Sequence, residues 1–286
     1  MERIKIICLI VEGWGGLAAY KSIIKGDFDK IELITKDGVI TDMAKTDKRT
    51  VFCDLNGILS DIVICAGYSK IIKGDLLRKK KFINIHYSIL PKYRGFHSTV
   101  WAILNDEDHL GLTIHRMNEF IDDGPIIDQY IVFNDKKSTS RYYMEHFNEW
   151  VETNLYKVVL NYYNGQIKEK IQDISQATWV GKRNIEDCKL DFNQTNQYIF
   201  NFFRALVEPY PLPFIRMRGT KMEYRITKYE LLNRKINTHV GRILNIDYNG
   251  IYVSTKEGYI ILKELRNNNN EIVSFDDFKI GQYLEL

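Results

Sequence analysis

Cysteine is scarce in this 286-residue chain: Cys8, Cys53, Cys65 and Cys188 are all there is, widely spaced, with no Cys-x-x-Cys pair and no histidine in metal-ligand register. That arithmetic argues against a disulfide framework and against a metal site, and for small core residues in a reduced compartment. Proline is scarcer than an average chain would carry, five in all, and three of these fall between residues 209 and 213. Long apolar runs are missing too. The N-terminal stretch Ile6 to Val11 stops at Glu12, which is shorter than a signal-peptide core and far shorter than a membrane span. A soluble, cytoplasmic protein with no membrane partner is expected. Charge of one sign is also absent in excess: 40 Lys and Arg stand against 37 Asp and Glu, so overall charge does not mark a nucleic-acid binder.

What is present is ordinary globular material, 45% apolar and 27% charged, in a length that fits one larger domain plus an appendage. Residues 4–11 read as a strand buried on both faces, and a helical pattern follows over residues 17–24. Strand signals recur at 31–35, 61–66 and 82–86, then at 111–117 and 126–133 around a turn-rich segment. A long helical pattern occupies 139–164. This alternation predicts an α/β fold, an open and mostly parallel sheet with helices on both faces. A second helical pattern covers 185–206, and the proline cluster then breaks regular structure. From Phe214 onward come short strands with turns at Arg218-Gly219, Asn249-Gly250, Glu257-Gly258 and Asn267 to Asn270. The expected organisation is a catalytic domain over 1–184, a helix-and-hairpin connection over 185–235, and a small all-β subdomain over 236–286.

The strand at 82–86 carries chemistry. Side chains alternate along a strand, so Asn84, His86 and Ser88 share one face while Ile83, Ile85 and Tyr87 share the other. Open α/β sheets bind ligands at the carboxyl ends of their strands. Pro91, Tyr93, Arg94 and Gly95 follow in a loop suited to an anionic or planar ligand. A second turn, Phe120 to Pro125, holds the adjacent carboxylates Asp122 and Asp123. Taken alone, each feature has a bland reading, as satisfied core polars or as turn formers.

Together, NIHYSILPKYRG and WAILNDEDHLGLTIHRMNEFIDDGPIIDQ resemble the signature of the folate-dependent formyltransferases: an Asn-x-His pair, a Ser-Leu-Leu-Pro-like turn, x-Arg-Gly, a Gly-x-Thr strand and an Asp-x-Gly loop, in that order. The densest likeness covers residues 66 to 129. It implies a Rossmann-like formyltransferase core, 10-formyltetrahydrofolate as co-substrate, no metal, and Asn84, His86 and Asp122 as the catalytic groups. Asn84 and His86 would donate to the oxyanion that forms at the formyl carbon. His86 would also take the amine proton, while Asp122 would orient its ring and raise its pKa. Ile89 stands where Leu is commoner, Gly95-Phe96-His97-Ser98 replaces a Gly-x-x-Pro run, and Asp123 replaces a small residue.

The resemblance also places folate against Gly67, Tyr68, Ile71 and Asp123. The expected substrate contacts are Gly13 and Trp14, Pro91, Tyr93, Arg94 and His97, and Tyr210. Gly13 and Trp14 belong to the run Glu12-Gly13-Trp14-Gly15-Gly16, which reads either as a phosphate cradle at a helix start or as plain turn chemistry. The basic run Arg78 to Lys81 reads as a phosphate patch or, more simply, as a solvated helix end. Three branches of the family differ in the amine they formylate. A glycinamide ribonucleotide enzyme lacks a β tail. A methionyl-tRNA enzyme must meet a polyanion, yet residues 236–286 hold five basic against seven acidic side chains. The chain is similar to the third branch, the sugar-nucleotide N-formyltransferases, in Thr113 to Met117 and in the stretch Arg204 to Pro211; that likeness implies a dTDP- or UDP-linked amino-deoxysugar, foremost dTDP-linked 3- or 4-amino-dideoxyglucose for surface polysaccharide, with no nucleic-acid partner and a homodimer. A methionyl-tRNA enzyme, a hydrolase releasing formate and a binding module without turnover are the alternatives.

Overall fold

A computed structural model describes residues 3–72 and 74–286. In chain order the first part contains β1 (Ile6–Val11), α1 (Gly13–Ile23), β2 (Lys30–Ile34), α2 (Gly38–Ala44), β3 (Thr50–Phe52), β4 (Ile62–Ala66), α3 (Gly74–Lys79), β5 (Lys81–His86), β6 (Arg94–Gly95), α4 (Ser98–Leu104), β7 (His109–Arg116), β8 (Ile126–Phe133), α5 (Ser140–Tyr163) and β9 (Trp179–Val180). The rest forms α6 (Asn196–Ala205), β10 (Phe214–Arg216), β11 (Glu223–Leu232), β12 (Ile243–Asp247), β13 (Gly250–Thr255) and β14 (Gly258–Arg266).

Two compact units result. The first comprises the chain up to Thr99, His109–Phe133 and Tyr142–Gly181. Its seven-stranded sheet has the order β3-β2-β1-β4-β5-β7-β8. The pairs from β3 to β5 are parallel, whereas β5 with β7 and β7 with β8 are antiparallel. The near-continuous apolar composition of β1 and β4 follows from burial on both faces, and Ile7 to Val11 and Ile62 to Ala66 are all buried. Cys8, Ile10, Val63, Cys65 and Phe82 form one core cluster. Register places Cys65 opposite Asn84 and His115 opposite Asn84 on its other side, so the face that is apolar at Phe82 becomes polar two residues further on.

The run from Gly13 to Gly16 is the first turn of α1 rather than a loop preceding it. Asp37 explains the early start. One carboxylate oxygen accepts from Gly13 N–H at 3.1 Å, and the other caps α2 through Val39 and Ile40 N–H, a favoured N-cap use of aspartate.

The second unit comprises Val100–Asp108, Asn134–Arg141 and Lys182–Leu286. Its antiparallel sheet has the order β10-β11-β14-β13-β12, so the segment after Phe214 contributes two strands to the same sheet as the final fifty residues. The helical pattern at 185–206 resolves into a short 3-10 turn, Ile185–Cys188, and the separate helix α6, which Thr195 caps through Tyr198 N–H. Phe203 of α6 stacks on Tyr229 of β11 with ring centroids 3.7 Å apart.

Candidate active site

β5 ends with Asn84 and His86 on one face, as alternation requires, and β7 brings His115 directly across from Asn84. The turn between β7 and β8 supplies the carboxylate. Asp122 Oδ2 lies 3.4 Å from His86 Nδ1, and its Oδ1 lies 3.3 Å from Asn84 Nδ2 and 3.4 Å from His115 Nε2. Three polar side chains, up to 38 positions away along the chain, thus meet around one carboxylate. Asp122 adopts a left-handed backbone with φ of 51°. Two residues on, a Cβ at Gly124 would sit 1.7 Å from the Arg116 carbonyl oxygen, so only glycine lets the turn close.

The electrostatics assign protonation states. Burial pushes the Asp122 pKa up, but the charges of His86 and His115, a hydrogen bond from His115 and the Gly95 N–H pull it down to about 2. Burial is the largest influence on His86 and lowers its pKa. The Asp122 charge and the bond to the Tyr93 carbonyl oppose that shift without overcoming it. Asp122 thus acts in the direction expected, raising the His86 pKa, but desolvation of a buried imidazolium outweighs it. At neutral pH the pair is a carboxylate beside a neutral imidazole. His86 Nε2 donates to Tyr93 O at 2.8 Å, which assigns the free lone pair to Nδ1.

Asn84 is also more engaged than alternation alone indicates. Its Nδ2 donates to Asp122 and lies 3.2 Å from His115 Nε2. An incoming carbonyl oxygen would compete for these N–H groups. His115, which the sequence places only as a strand residue near the site, is a full member of the cluster, with Nδ1 donating to Arg116 O at 3.1 Å. Its signal was the same period-two alternation, applied to β7 once the pairing register is known.

The other expected contacts are distributed unevenly. Tyr93 is buried, and Arg94, with a side chain 2% exposed, pairs with Asp123 instead of facing solvent. Pro91 is half-buried and its carbonyl accepts from Thr178 N–H. His97 is half-buried with φ of 56°. Gly67 is exposed at φ of 72°, Tyr68 packs against the core cluster, and Ile71 is 90% exposed. Gly13 N–H is already bonded to Asp37, and Trp14 is 41% exposed. Tyr210 lies in the other unit, half-buried, its N–H bonded to Val207 O. Ser88 closes its own loop through Lys92 O. The basic run is divided among Asp75 and Glu119 for Arg78, the Leu59 and Ser60 carbonyls for Lys80, and the Tyr162 ring for Lys81, which supports the solvated reading over a phosphate patch.

One segment left no sequence signal. Residues 168–181 run past both site loops: Lys170 pairs with Ile126, Gln172 bonds Asp122 and Gly124 carbonyls, Thr178 bonds the backbone of Tyr93 and Arg94, and Val180 pairs with Gly95. All four cysteines are free thiols. Among the described residues no group of three or more His, Cys, Asp or Glu side chains is arranged to hold a metal, and no helix is long and apolar enough to cross a membrane.

A mostly parallel sheet ending in an Asn-His-Asp cluster, with a buried carboxylate beside a neutral imidazole and an amide donor, defines a site equipped for general-base chemistry. Residues 38–159 match the formyl transferase family model and residues 183–283 match the formyl transferase C-terminal domain. The chain belongs to the folate-dependent formyltransferase family. It is 27% identical over 243 residues to a methionyl-tRNA formyltransferase of Fusobacterium nucleatum, covering 83% of this chain and 77% of that one. It is 32% identical over 210 residues to the bifunctional polymyxin resistance protein ArnA of Wigglesworthia glossinidia brevipalpis, covering 71% of this chain and 31% of that protein. Among solved structures, the N-formyltransferase of Helicobacter canadensis, in complex with folinic acid and dTDP-3-aminofucose, superposes with a TM-score of 0.69 at 23% identity, over 91% of this chain and 99% of that one.

Proposed function

We propose that the protein moves a formyl group from 10-formyltetrahydrofolate to the amino group of a nucleotide-linked amino-deoxysugar, with Asn84, His86 and Asp122 as the catalytic groups. The observation that carries the transfer chemistry is the convergence of those three side chains with the protonation states derived above. The amine lone pair attacks the formyl carbon, and the carbonyl oxygen becomes an oxyanion. An Asn84 N–H pointed at that oxygen contributes about 3 kcal/mol, typical of one such donor. His86 Nδ1 accepts the amine proton, and the imidazolium so formed is held by Asp122 at 3.4 Å. The bond from carbon to the folate nitrogen then breaks, and the proton passes to that nitrogen. Gly67, Tyr68 and Ile71 follow β4 on the side expected to receive the folate.

For the amine, the second unit is informative. Counted over its sheet and last helix, residues 182–286 hold 16 basic and 13 acidic side chains, so the acidic balance of residues 236–286 does not describe this longer segment. Five of these sixteen are tied to acids of the same segment: Arg216 to Glu186, Glu223 and Glu285, Lys228 and Arg266 to Glu264, Lys263 to Glu230, and Lys189 to Glu285. A near-balance of charge, with several pairs neutralised within the protein, suits a small diphosphate better than a polyanion, whose binding rests on many unneutralised cations. The fold shared with the H. canadensis enzyme supports the same reading. The second reading, formylation of methionyl-tRNA, is favoured by the F. nucleatum relative.

Steady-state transfer assays with dTDP- and UDP-linked amino-sugars and with charged initiator tRNA separate the two. The sugar reading expects turnover with a nucleotide sugar and, at 100 times its Kd, stabilisation of about 2.7 kcal/mol in a melt. Formylation of tRNA alone would reject it. Rapid formate release without any amine would mark a hydrolase instead. Light scattering checks the expected homodimer.

A further inference from the structure

We propose that Arg94 and Gln172, with Asp123 as counterion, form a latch that positions Asp122, and that Arg94 is a positioning residue instead of a contact for the substrate's anion. The proposal rests on the reading of Asp122 as the acid of the transfer site. Arg94 directs its guanidinium inward. Its Nη1 pairs with Asp123 Oδ1 at 2.5 Å, its Nη2 and Nε reach Gln172 Oε1 at 2.8 and 3.3 Å, and its plane lies over the Trp179 ring with 5.4 Å to the centroid. A buried guanidinium needs its charge and its N–H groups satisfied, and here the protein itself does so.

Gln172 relays that anchor. Its Nε2 donates to Asp122 O at 2.8 Å and to Gly124 O at 2.7 Å, fixing the backbone on both sides of residue 123. The residue after Arg94 grips the side chain: Gly95 N–H donates to Asp122 Oδ2 at 2.9 Å. Gly95 itself has φ of 109°, and a Cβ there would lie 2.3 Å from Val180 O, so the dipeptide is clamped against β9. Asp122 is therefore gripped by its carbonyl and its carboxylate from one dipeptide and one glutamine, in a left-handed conformation that non-glycine residues seldom hold without such support.

The latch also accounts for the unusual Asp123. Its Oδ1 meets Arg94 and its Oδ2 accepts from Asn118 Nδ2 at 3.1 Å. Both oxygens thus accept from the protein, which ties Asp123 into the latch and leaves Asp122 as the carboxylate beside His86.

The test uses the full chain with Gln172→Leu, which keeps shape and loses both donors, and with Asp123→Asn, which keeps shape and removes the counterion. Displacing a reacting group by about 1 Å costs on the order of a hundredfold, so kcat should fall about ten- to a hundredfold while KM for both substrates stays within about twofold. The NMR titration midpoint of His86 should fall in Gln172→Leu, because the neighbouring carboxylate that supports its protonated form has withdrawn. A raised KM with kcat intact would overturn the proposal in favour of ligand contact, and unchanged kcat with an unchanged His86 midpoint would also overturn it. If the wild-type protein transferred no formyl group, the functional reading would fail, while the His86 titration would still decide the latch. Arg94→Lys serves as a second probe, since lysine offers charge without the planar fork; full retention of kcat there would likewise count against it.

Discussion

The two units use charge in opposite ways. In the first, the ionisable groups that matter are buried: side-chain exposure is 8% for His86, 12% for Asp122 and 2% for His115 and Arg94. In the second, apart from Arg204, whose side chain is 3% exposed beside Asp106, the pairs lie nearer the surface, as with Lys228 at 68% and Lys263 at 40% exposure. Burial makes the first set chemically distinctive, since desolvation and close partners move the pKa values of His86 and Asp122 and fix the geometry around them. Exposure leaves the second set weak individually, because water screens it. Chemistry and fold support are thus expected to separate cleanly between the units under mutation.

The largest effect should come from the buried set. Asn84→Ala, His86→Ala and Asp122→Ala should each lower kcat by at least about a hundredfold, with circular-dichroism melts showing the fold retained. Near-normal turnover in His86→Ala would break the comparison at its strongest point. Next, Phe203→Ala removes a buried ring from its stack on Tyr229 and should destabilise the protein by about 3 kcal/mol, while kcat measured well below the melting transition is preserved. A large loss of kcat there would show that the units are not separable.

A pH profile sharpens the contrast further. His86 must be neutral to accept a proton, and its pKa lies below the ordinary 6.5. The value of kcat/KM should stay level above that pH and fall as pH drops through the depressed midpoint. In Asp122→Asn the residual activity should persist to still lower pH, because the charge that favoured the imidazolium has gone. A midpoint above 6.5 would contradict the dominance of burial. The smallest effect is expected for Lys228→Ala, at an exposed pair with Glu264, where kcat should be unchanged and any loss of melting temperature should vanish in high salt.

Much of this was legible in the residues. The strand at 126–133 has the boundaries expected of it, β1, β2, β4, β5 and β7 lie within two residues of theirs, and the long helix spans Ser140–Tyr163. These elements carry periodicities long enough to read. α2, β3 and α4 have seven, three and seven residues, too few for a period to declare itself. The glycines opening α1 masked its first turn, which Asp37 supports from a residue 24 positions away. Of the site, Asn84, His86 and Asp122 followed from alternation and the motif. Gln172 and Thr178 did not, because they sit on an irregular segment whose role exists only through tertiary contact. Arg94 was visible as a cation, but whether it faced a ligand or the protein depended on Asp123 and Trp179, and neither direction is written in local sequence.

The turn that delivers Asp122 has one further implication. Arg116 N–H bonds Pro125 O at its neck, and Gly124 leaves no room for even a methyl group against Arg116. Engineering that seeks to reposition the acid has little latitude for single replacements inside this loop. Residues 118–125 are better exchanged whole, as a cassette grafted onto an unchanged pair of strands, and libraries aimed at new acceptors should leave it untouched while diversifying other surfaces.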